Sequence, residues 1–191
     1  MSTKVIIEVS ARHCHLTAKD LEKLFGRGYQ LQVFKTLSEE KQFAAKETVD
    51  LKTKEGELKK LRIVGPIRNY TQVELSMTDA RSLKIQPPLR LSGDIKSSLG
   101  GTLIGPKGKL ILKEGIIIAQ RHLHCSTGDA KKLKLTSKSI VKLKTPGPRS
   151  VVLENIPVRI DPQFVFRVHL DTDEGNASLP GGACSQGELV L

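Results

Sequence analysis

Apolar residues along the chain occur in short runs that are separated by glycine and proline, a pattern typical of a protein made of many short strands. The runs at 5–9, 28–34, 108–112 and 139–143 predict strands, and glycine and proline predict turns at 100–101, 105–108, 146–148 and 180–182. Many short strands at even spacing predict a mainly β protein, of barrel or sandwich type, with small capping helices.

One local pattern occurs four times: a strand-like run, a histidine or glutamate, a Ser, Thr or Asp two residues later, and an acidic residue three positions beyond that. The hydroxyl or carboxylate can accept from the first free backbone N–H groups of a helix, so each copy predicts a short capped helix. The strand-like runs are 5–9, 70–73, 116–119 and 164–168. The four copies are His15-Thr17-Asp20, Glu74-Ser76-Asp79, His124-Ser126-Asp129 and His169-Asp171-Glu174.

Four of the five histidines lie in two H-x-H pairs, His13 with His15 and His122 with His124. In a strand, residues i and i+2 project from the same face, so each pair can present two imidazoles to one metal ion. The repeat adds His169 and Glu74 as ligand candidates, although a glutamate at a strand end is also compatible with a solvated surface. These six residues overfill one tetrahedral site and suit two neighbouring ions. Nitrogen and oxygen ligands without a set of four cysteines favour catalytic metal sites.

Charge and composition narrow the classes of partner. The net charge of +11, from 31 Lys and Arg against 20 Asp and Glu, favours anionic ligands, but 4% aromatic residues and no tryptophan disfavour nucleic acid. No apolar run has the roughly 20 residues of a membrane helix, and no signal peptide pattern is seen, so we expect a cytoplasmic protein that does not bind membranes. Cys14, Cys125 and Cys184 form no CxxC pair and are expected to be small buried residues.

Arg68 follows a turn predicted at Gly65-Pro66 and precedes Glu74 by six residues. A guanidinium is the preferred fork for phosphate oxygens, so Arg68 is a candidate phosphate ligand. Taken alone, however, an arginine beside a turn is more often exposed to solvent.

The chain resembles the phosphate propanoyltransferase family, the PduL-type phosphotransacylases, over nearly its whole length. The resemblance is carried by VSARHCHL at 9–16, GPIR at 65–68, GPKG at 105–108, IAQRHLH at 118–124 and VHLDTDEGNA at 168–177. It implies two six-stranded β-barrels capped by short α-helices, with the active site at the interface between the barrels. It further implies one discontinuous domain, 1–11 with 120–191, and a second domain, 12–119.

The resemblance also implies roles for individual residues. One zinc ion would be held by His13, His15 and Glu74, with a position left for the coenzyme A sulfur, and a second by His122, His124 and His169 with waters. Arg68 falls on the phosphate-binding arginine. The coenzyme A contacts carry over to Ser10, Lys35, Arg62, His169 and Asn176. Two departures stand out: Cys14 replaces a common aliphatic residue, and the N-terminal helical extension that directs some members into bacterial microcompartments is absent, which argues against that location.

The function implied is interconversion of a short-chain acyl-CoA (propanoyl-CoA or acetyl-CoA) and phosphate with an acyl phosphate and CoA, with Arg68 positioning phosphate and zinc assisting the thioester. Two alternatives stay open: a zinc-dependent hydrolase of a thioester or phosphorylated substrate, and a basic, zinc-stabilised nucleic-acid-binding module. The preferred acyl chain, the direction of the reaction, the native metal and homo-oligomer formation are left open by the sequence.

Overall fold

The chain divides into two units, one formed by the chain up to Ala11 and from Gln120 onward, the other by Arg12–Ala119. This computed structural model describes residues 3–39, 41–182 and 184–190. In the unit Arg12–Ala119 the elements are β2 (His13–His15), α1 (Ala18–Phe25), β3 (Val33–Thr36), β4 (Phe43–Lys52), β5 (Glu57–Gly65), β6 (Gln72–Leu75), α2 (Met77–Ser82), β7 (Leu89–Arg90), β8 (Leu99–Ile104) and β9 (Lys109–Ala119). In the other unit they are β1 (Thr3–Ser10), β10 (His122–Cys125), α3 (Thr127–Leu133), β11 (Ile140–Lys144), β12 (Val152–Ile160), β13 (Arg167–Asp171), α4 (Thr172–Ser178), a 3-10 turn (Pro180–Gly182) and β14 (Ser185–Val190).

Each unit contains a closed six-stranded barrel. We call the barrel of Arg12–Ala119 the middle barrel; its strands follow the order β4-β5-β2-β6-β9-β8 and return to β4, with β3 added beside β4 and β7 beside β9. The barrel of the other unit, here the terminal barrel, follows the order β1-β13-β10-β12-β11-β14. The prediction of a mainly β protein with two six-stranded barrels and short helices is confirmed.

The two barrels share one strand arrangement. Each H-x-H strand, β2 or β10, pairs in parallel with one neighbour and antiparallel with the strand that carries the third candidate ligand, β6 or β13. The next position is taken by β9, parallel to β6, in the middle barrel and by β1, parallel to β13, in the terminal barrel. The terminal barrel is therefore completed by β1. The strand β9 takes the equivalent position in the middle barrel, and it lies immediately before the second H-x-H pair in the sequence.

Strand alternation places the ligand candidates and the core on opposite faces of the same strands. In the middle barrel Cys14, between His13 and His15, packs in the apolar cluster with Ile63 and Val73. In the terminal barrel Leu123, between His122 and His124, packs with Val168. Cys14 and Cys125 are buried as predicted, but Cys184 is exposed, so the prediction was wrong for that residue.

The four predicted helix caps are confirmed. Thr17, Ser76, Ser126 and Asp171 each accept from the backbone N–H three residues on, at the start of α1, α2, α3 and α4 respectively. Ser76 with Asp79, and Asp171 with Glu174, form complete capping boxes. Because every cap lies two residues after a candidate ligand, each helix start fixes the end of a ligand-bearing strand.

Some strand predictions were wrong in position. Within 28–34 the strand begins only at Val33, because Gly28 has a left-handed φ of 73° and the Glu47 carboxylate binds both the Tyr29 hydroxyl and the Gln32 N–H. The runs at 108–112 and 116–119 form, from Lys109 onward, the single strand β9. The strands predicted at 70–73 and 164–168 begin later, at Gln72 and Arg167. Within the described ranges, no helix has the length and apolar character needed to cross a membrane.

Candidate metal centres

The first cluster of candidate ligands, the Glu74 cluster, consists of His13, His15 and Glu74 in the middle barrel. Antiparallel pairing sets His13 directly opposite Glu74, and strand alternation brings His15 to the same face. The two Nε2 atoms are 3.2 Å apart, and Glu74 Oε1 lies 3.7 Å from His13 Nε2 and 3.8 Å from His15 Nε2. Residues 61 positions apart in the chain thus converge with their donor atoms facing one another.

Surrounding groups fix the orientation of His15 and Glu74 in the Glu74 cluster. His15 Nδ1 lies 2.9 Å from the Val64 carbonyl oxygen, which can only accept, so Nδ1 carries the hydrogen and the neutral ring offers the Nε2 lone pair. Burial, followed by the charges of His13 and Arg68, lowers the pKa of His15 well below its usual value. Gln72 Nε2 donates to Glu74 Oε1 at 2.6 Å and so fixes the carboxylate.

The second cluster, the His169 cluster, consists of His122, His124 and His169 in the terminal barrel. His122 lies opposite His169 across the antiparallel pair of β10 and β13. The Nε2 atoms of His122 and His124 are 3.1 Å apart, and the His169 ring centroid lies 5.1 Å from that of His122 and 4.4 Å from that of His124. The position of His169 on its strand is equivalent to that of Glu74 in the middle barrel.

The His169 cluster is supported in the same way. His122 Nδ1 lies 2.9 Å from the Gln120 carbonyl oxygen, which assigns the hydrogen to Nδ1 and turns Nε2 towards the other rings. Burial, followed by the charges of His169 and His124, lowers the pKa of His122 to about 3, so the ring is neutral at neutral pH. The Phe164 ring stacks on His124 with centroids 3.8 Å apart and limits how that imidazole can turn.

Both clusters fit a zinc ion by their donor chemistry. In each, the ligand atoms all lie within 4.8 Å of one another. Two imidazole nitrogens bound about 2.0–2.1 Å from one tetrahedral zinc would be separated by about 3.3 Å, close to the 3.2 and 3.1 Å between the paired Nε2 atoms. Neutral imidazoles with Nδ1 bound to a carbonyl, and a carboxylate held by an amide, are ordinary zinc ligands and supports.

Arg68 lies near the Glu74 cluster, at the end of the turn that follows β5. A cis peptide bond joins Gly65 to Pro66, and the Arg68 N–H donates to the Leu16 carbonyl at 2.9 Å. The half-buried guanidinium donates from Nη1 to the Tyr70 hydroxyl and to Ser92 Oγ, both at 3.3 Å. Its charge is one of those that lower the pKa of His15, so Arg68 lies within electrostatic reach of the cluster.

The residues expected to contact coenzyme A are divided between the two units. In the middle barrel, Lys35 is exposed on β3, and Arg62 on β5 donates from Nη1 to the carbonyls of Ala45 and Lys46, each at 2.9 Å. The Arg62 guanidinium also lies 5.2 Å from the centroid of the Phe34 ring. In the terminal barrel, Ser10 ends β1 opposite Asp171, His169 belongs to its cluster, and Asn176 is exposed on α4.

Sequence reasoning missed the polar groups that surround the ligands. Gln72 lies two residues before Glu74, on the same face of the strand. Strand alternation would predict this contact once Glu74 is taken as a metal ligand. Ser92 contacts Arg68 from 24 residues further along the chain and carries no local signal. Tyr70 lies only two residues from Arg68, so its proximity could have been read from the sequence. The arginine before each H-x-H pair belongs to the family motifs, and its ion-pair partner is not predicted by the sequence. The pairs are Arg12 Nη1 with Asp79 Oδ1 at 2.8 Å, and Arg121 with Glu174.

The chain matches known proteins over most of its length. The family model described as "Phosphate propanoyltransferase" matches residues 6–180. A phosphate propanoyltransferase of Priestia megaterium is 47% identical over 178 residues, covering 93% of this chain and 82% of the relative. A phosphate propanoyltransferase of Thermotoga maritima is 43% identical over 187 residues, covering 97% of this chain and 87% of the relative.

The chain belongs to the phosphate propanoyltransferase family. A third member of that family, from Salmonella typhimurium, is 42% identical and covers 89% of this chain and 81% of the relative. The match from residue 6 to residue 180 contains all six candidate ligands and Arg68. Membership in the phosphate propanoyltransferase family supports a phosphotransacylase activity.

Proposed function

We propose that this protein interconverts a short-chain acyl-CoA and inorganic phosphate with an acyl phosphate and coenzyme A. The family match and the two ligand clusters, built on the same strand arrangement in each barrel, support this proposal. Propanoyl-CoA is the substrate class suggested by the name of the relatives, and acetyl-CoA differs from it by one methylene, worth only about 1–3 kcal/mol of discrimination.

We propose that His13, His15 and Glu74 hold one zinc ion and that His122, His124 and His169 hold another. Zinc bound there would act as a Lewis acid, able to polarise a thioester carbonyl and to stabilise a thiolate. Two of the histidines are suited to bind zinc through Nε2. His15 and His122 are neutral, and each has its Nδ1 hydrogen bound to a backbone carbonyl.

Arg68 is proposed to bind the phosphate. Because Nη1 donates to Tyr70 and Ser92, the guanidinium is held in one plane, and its Nε and Nη2 form the edge that a phosphate would meet. Holding phosphate beside the thioester can supply roughly 7–11 kcal/mol of the barrier by proximity alone.

Coenzyme A is proposed to be contacted by Ser10, Lys35, Arg62, His169 and Asn176. Arg62 is the best supported of the cations, because two backbone carbonyls anchor its side chain and leave the rest of the guanidinium for an anionic group. The exposed Lys35 adds a second positive charge in the same barrel, on the strand that also carries Phe34.

The transfer is proposed to be direct, without an acyl-enzyme. A phosphate oxygen attacks the thioester carbonyl carbon, the carbon–sulfur bond breaks, and its electron pair leaves with the sulfur as the coenzyme A thiolate. Cys14 and Cys125, which neighbour the ligands in sequence, are fully buried in the barrel cores and cannot receive the acyl group there.

A thiol-release assay tests the proposal. With propanoyl-CoA or acetyl-CoA, free thiol should appear only when phosphate is present, and acyl phosphate should form in equal amount. Release without phosphate would instead identify the alternative zinc-dependent hydrolase. Metal analysis of the active protein should give two zinc ions per chain, and an active protein free of metal would contradict the proposed role of the clusters.

A further inference from the structure

Gln72 links the Glu74 cluster to the arginine proposed to bind phosphate. Its side chain is fully buried. Its Nε2 donates to Glu74 Oε1 at 2.6 Å and to Ser92 Oγ at 3.0 Å, while Arg68 Nη1 donates to the same Ser92 oxygen at 3.3 Å. A continuous chain of hydrogen bonds therefore runs from Glu74 through Gln72 and Ser92 to Arg68.

The orientation of the Gln72 amide is determined by its surroundings. The Gly93 N–H donates to Oε1 at 2.8 Å, so that atom must be the carbonyl oxygen and the NH2 group must face Glu74 and Ser92. Both hydrogens of the NH2 group are then used, one by the carboxylate and one by the serine. A buried amide with its donors and acceptor engaged cannot rotate without breaking several hydrogen bonds at once.

The equivalent position in the terminal barrel is occupied by a different kind of residue. Arg167 precedes His169 by two residues, as Gln72 precedes Glu74, but its Nη1 forms an ion pair with Glu8 Oε2 at 2.5 Å. The shared strand arrangement therefore does not itself require an amide at this position. In the middle barrel the residue beside the carboxylate ligand is a glutamine. Its neutral N–H can hold a Glu74 oxygen in place without neutralising the negative charge of the carboxylate.

We propose that Gln72 is a positioning residue that couples the metal affinity of the Glu74 cluster to phosphate binding at Arg68, with Ser92 as the connecting group. The inference rests on the proposed function and adds a communication between its two parts. Gln72 touches neither substrate in this role; it fixes the Glu74 carboxylate and, through Ser92, the plane of the Arg68 guanidinium.

The first test measures zinc affinity in competition with a chromophoric chelator. Gln72→Leu should weaken one of the two zinc ions by about 10–100-fold, the usual effect of losing a group that orients a ligand, and leave the other unchanged. Gln72→Met keeps nearly the size of the side chain but has no N–H to donate to Glu74, so it should weaken the same ion, and it provides the test if the leucine variant does not fold. Gln30→Leu, an exposed glutamine in the same barrel, is the matched control and should bind both ions as the wild type does.

The second test measures KM for phosphate and kcat separately. Ser92→Ala should raise the phosphate KM about five-fold, the effect of one hydrogen bond, with both zinc affinities unchanged. In the Gln72→Leu background the same change should have less than about half that effect, because the connection is already broken. Wild-type zinc affinity in both Gln72 variants, or fully independent effects on KM, would overturn the coupling. A wild-type protein that lacks zinc or releases thiol without phosphate would instead overturn the proposed function.

Discussion

Replacing Arg68 with alanine removes the guanidinium that Tyr70 and Ser92 hold beside the Glu74 cluster. The Nε and Nη2 edge can give a phosphate two charge-assisted hydrogen bonds, each worth about 1.5–3 kcal/mol. Their loss in the transition state amounts to about 3–6 kcal/mol, so kcat/KM for phosphate should fall by roughly two to four orders of magnitude. The zinc ligands are untouched, and both zinc ions should remain bound.

The assay is phosphate-dependent thiol release at several phosphate concentrations, combined with metal analysis of the same samples. Arg68→Lys keeps the charge but not the fork, and should recover only part of the loss. Arg27→Ala, which removes an exposed arginine from the same barrel, should behave as the wild type. Wild-type kcat/KM in Arg68→Ala would refute the role assigned to this residue, and loss of zinc in that variant would show that its effect acts through the metal ligands.

Three further predictions concern the metal and the packing. His124→Ala should lose one zinc ion per chain together with activity, and two ions found by metal analysis would contradict its role as a ligand. Treatment with a strong chelator should abolish thiol release and added zinc should restore it, whereas undiminished activity after metal removal would exclude metal catalysis. Gly65→Ala should lower the free energy of unfolding by about 1–3 kcal/mol, because the new methyl group would overlap the Phe43 ring. Adding Phe43→Leu to the Gly65→Ala protein should recover part of the lost stability in a thermal melt. An unchanged Tm for Gly65→Ala alone would contradict the overlap.

The helix starts could be predicted from sequence because the interactions that form them span four residues. Ser76 accepts from the Asp79 N–H, and the Asp79 carboxylate accepts from the Ser76 N–H, so the whole motif is contained in one short segment. The same holds for Asp171 and Glu174. Local chemistry of this kind is independent of the rest of the fold and leaves a readable pattern.

The loop before β3 shows why the strand prediction was wrong at 28–32. Its apolar residues alternate as in a strand, but the Glu47 carboxylate on β4 takes the Tyr29 hydroxyl and the Gln32 N–H. This carboxylate lies 15 or more residues further along the chain, so its influence is invisible to a local pattern. Tertiary contacts overrode the intrinsic preference of the segment.

The candidate ligands were found from sequence, but their supports were not. The i, i+2 spacing is enough to place His13 and His15 on one face, and the repeated cap pattern drew attention to Glu74. The pairing register that sets Glu74 opposite His13 depends on the whole barrel. Gln72 escaped notice because a glutamine in a strand is ordinary until its neighbours are known. The grouping of the ligands into two sites came from the family resemblance, whereas Arg68 was already a candidate because it follows the Gly65-Pro66 turn.

In the sequence, β1 directly precedes β2, the H-x-H strand of the middle barrel. In the fold, however, β1 pairs with β13 and β14 and closes the terminal barrel. The sequence repeat is therefore shifted by one strand relative to the folded unit. Removing the N-terminal segment that contains β1 would leave the six strands of the middle barrel intact. The same deletion would open the terminal barrel between β13 and β14 and expose the backbone edge of the strand that carries His169. A change to this end of the polypeptide is therefore expected to disturb the strand that carries His169, more than 150 residues away in sequence.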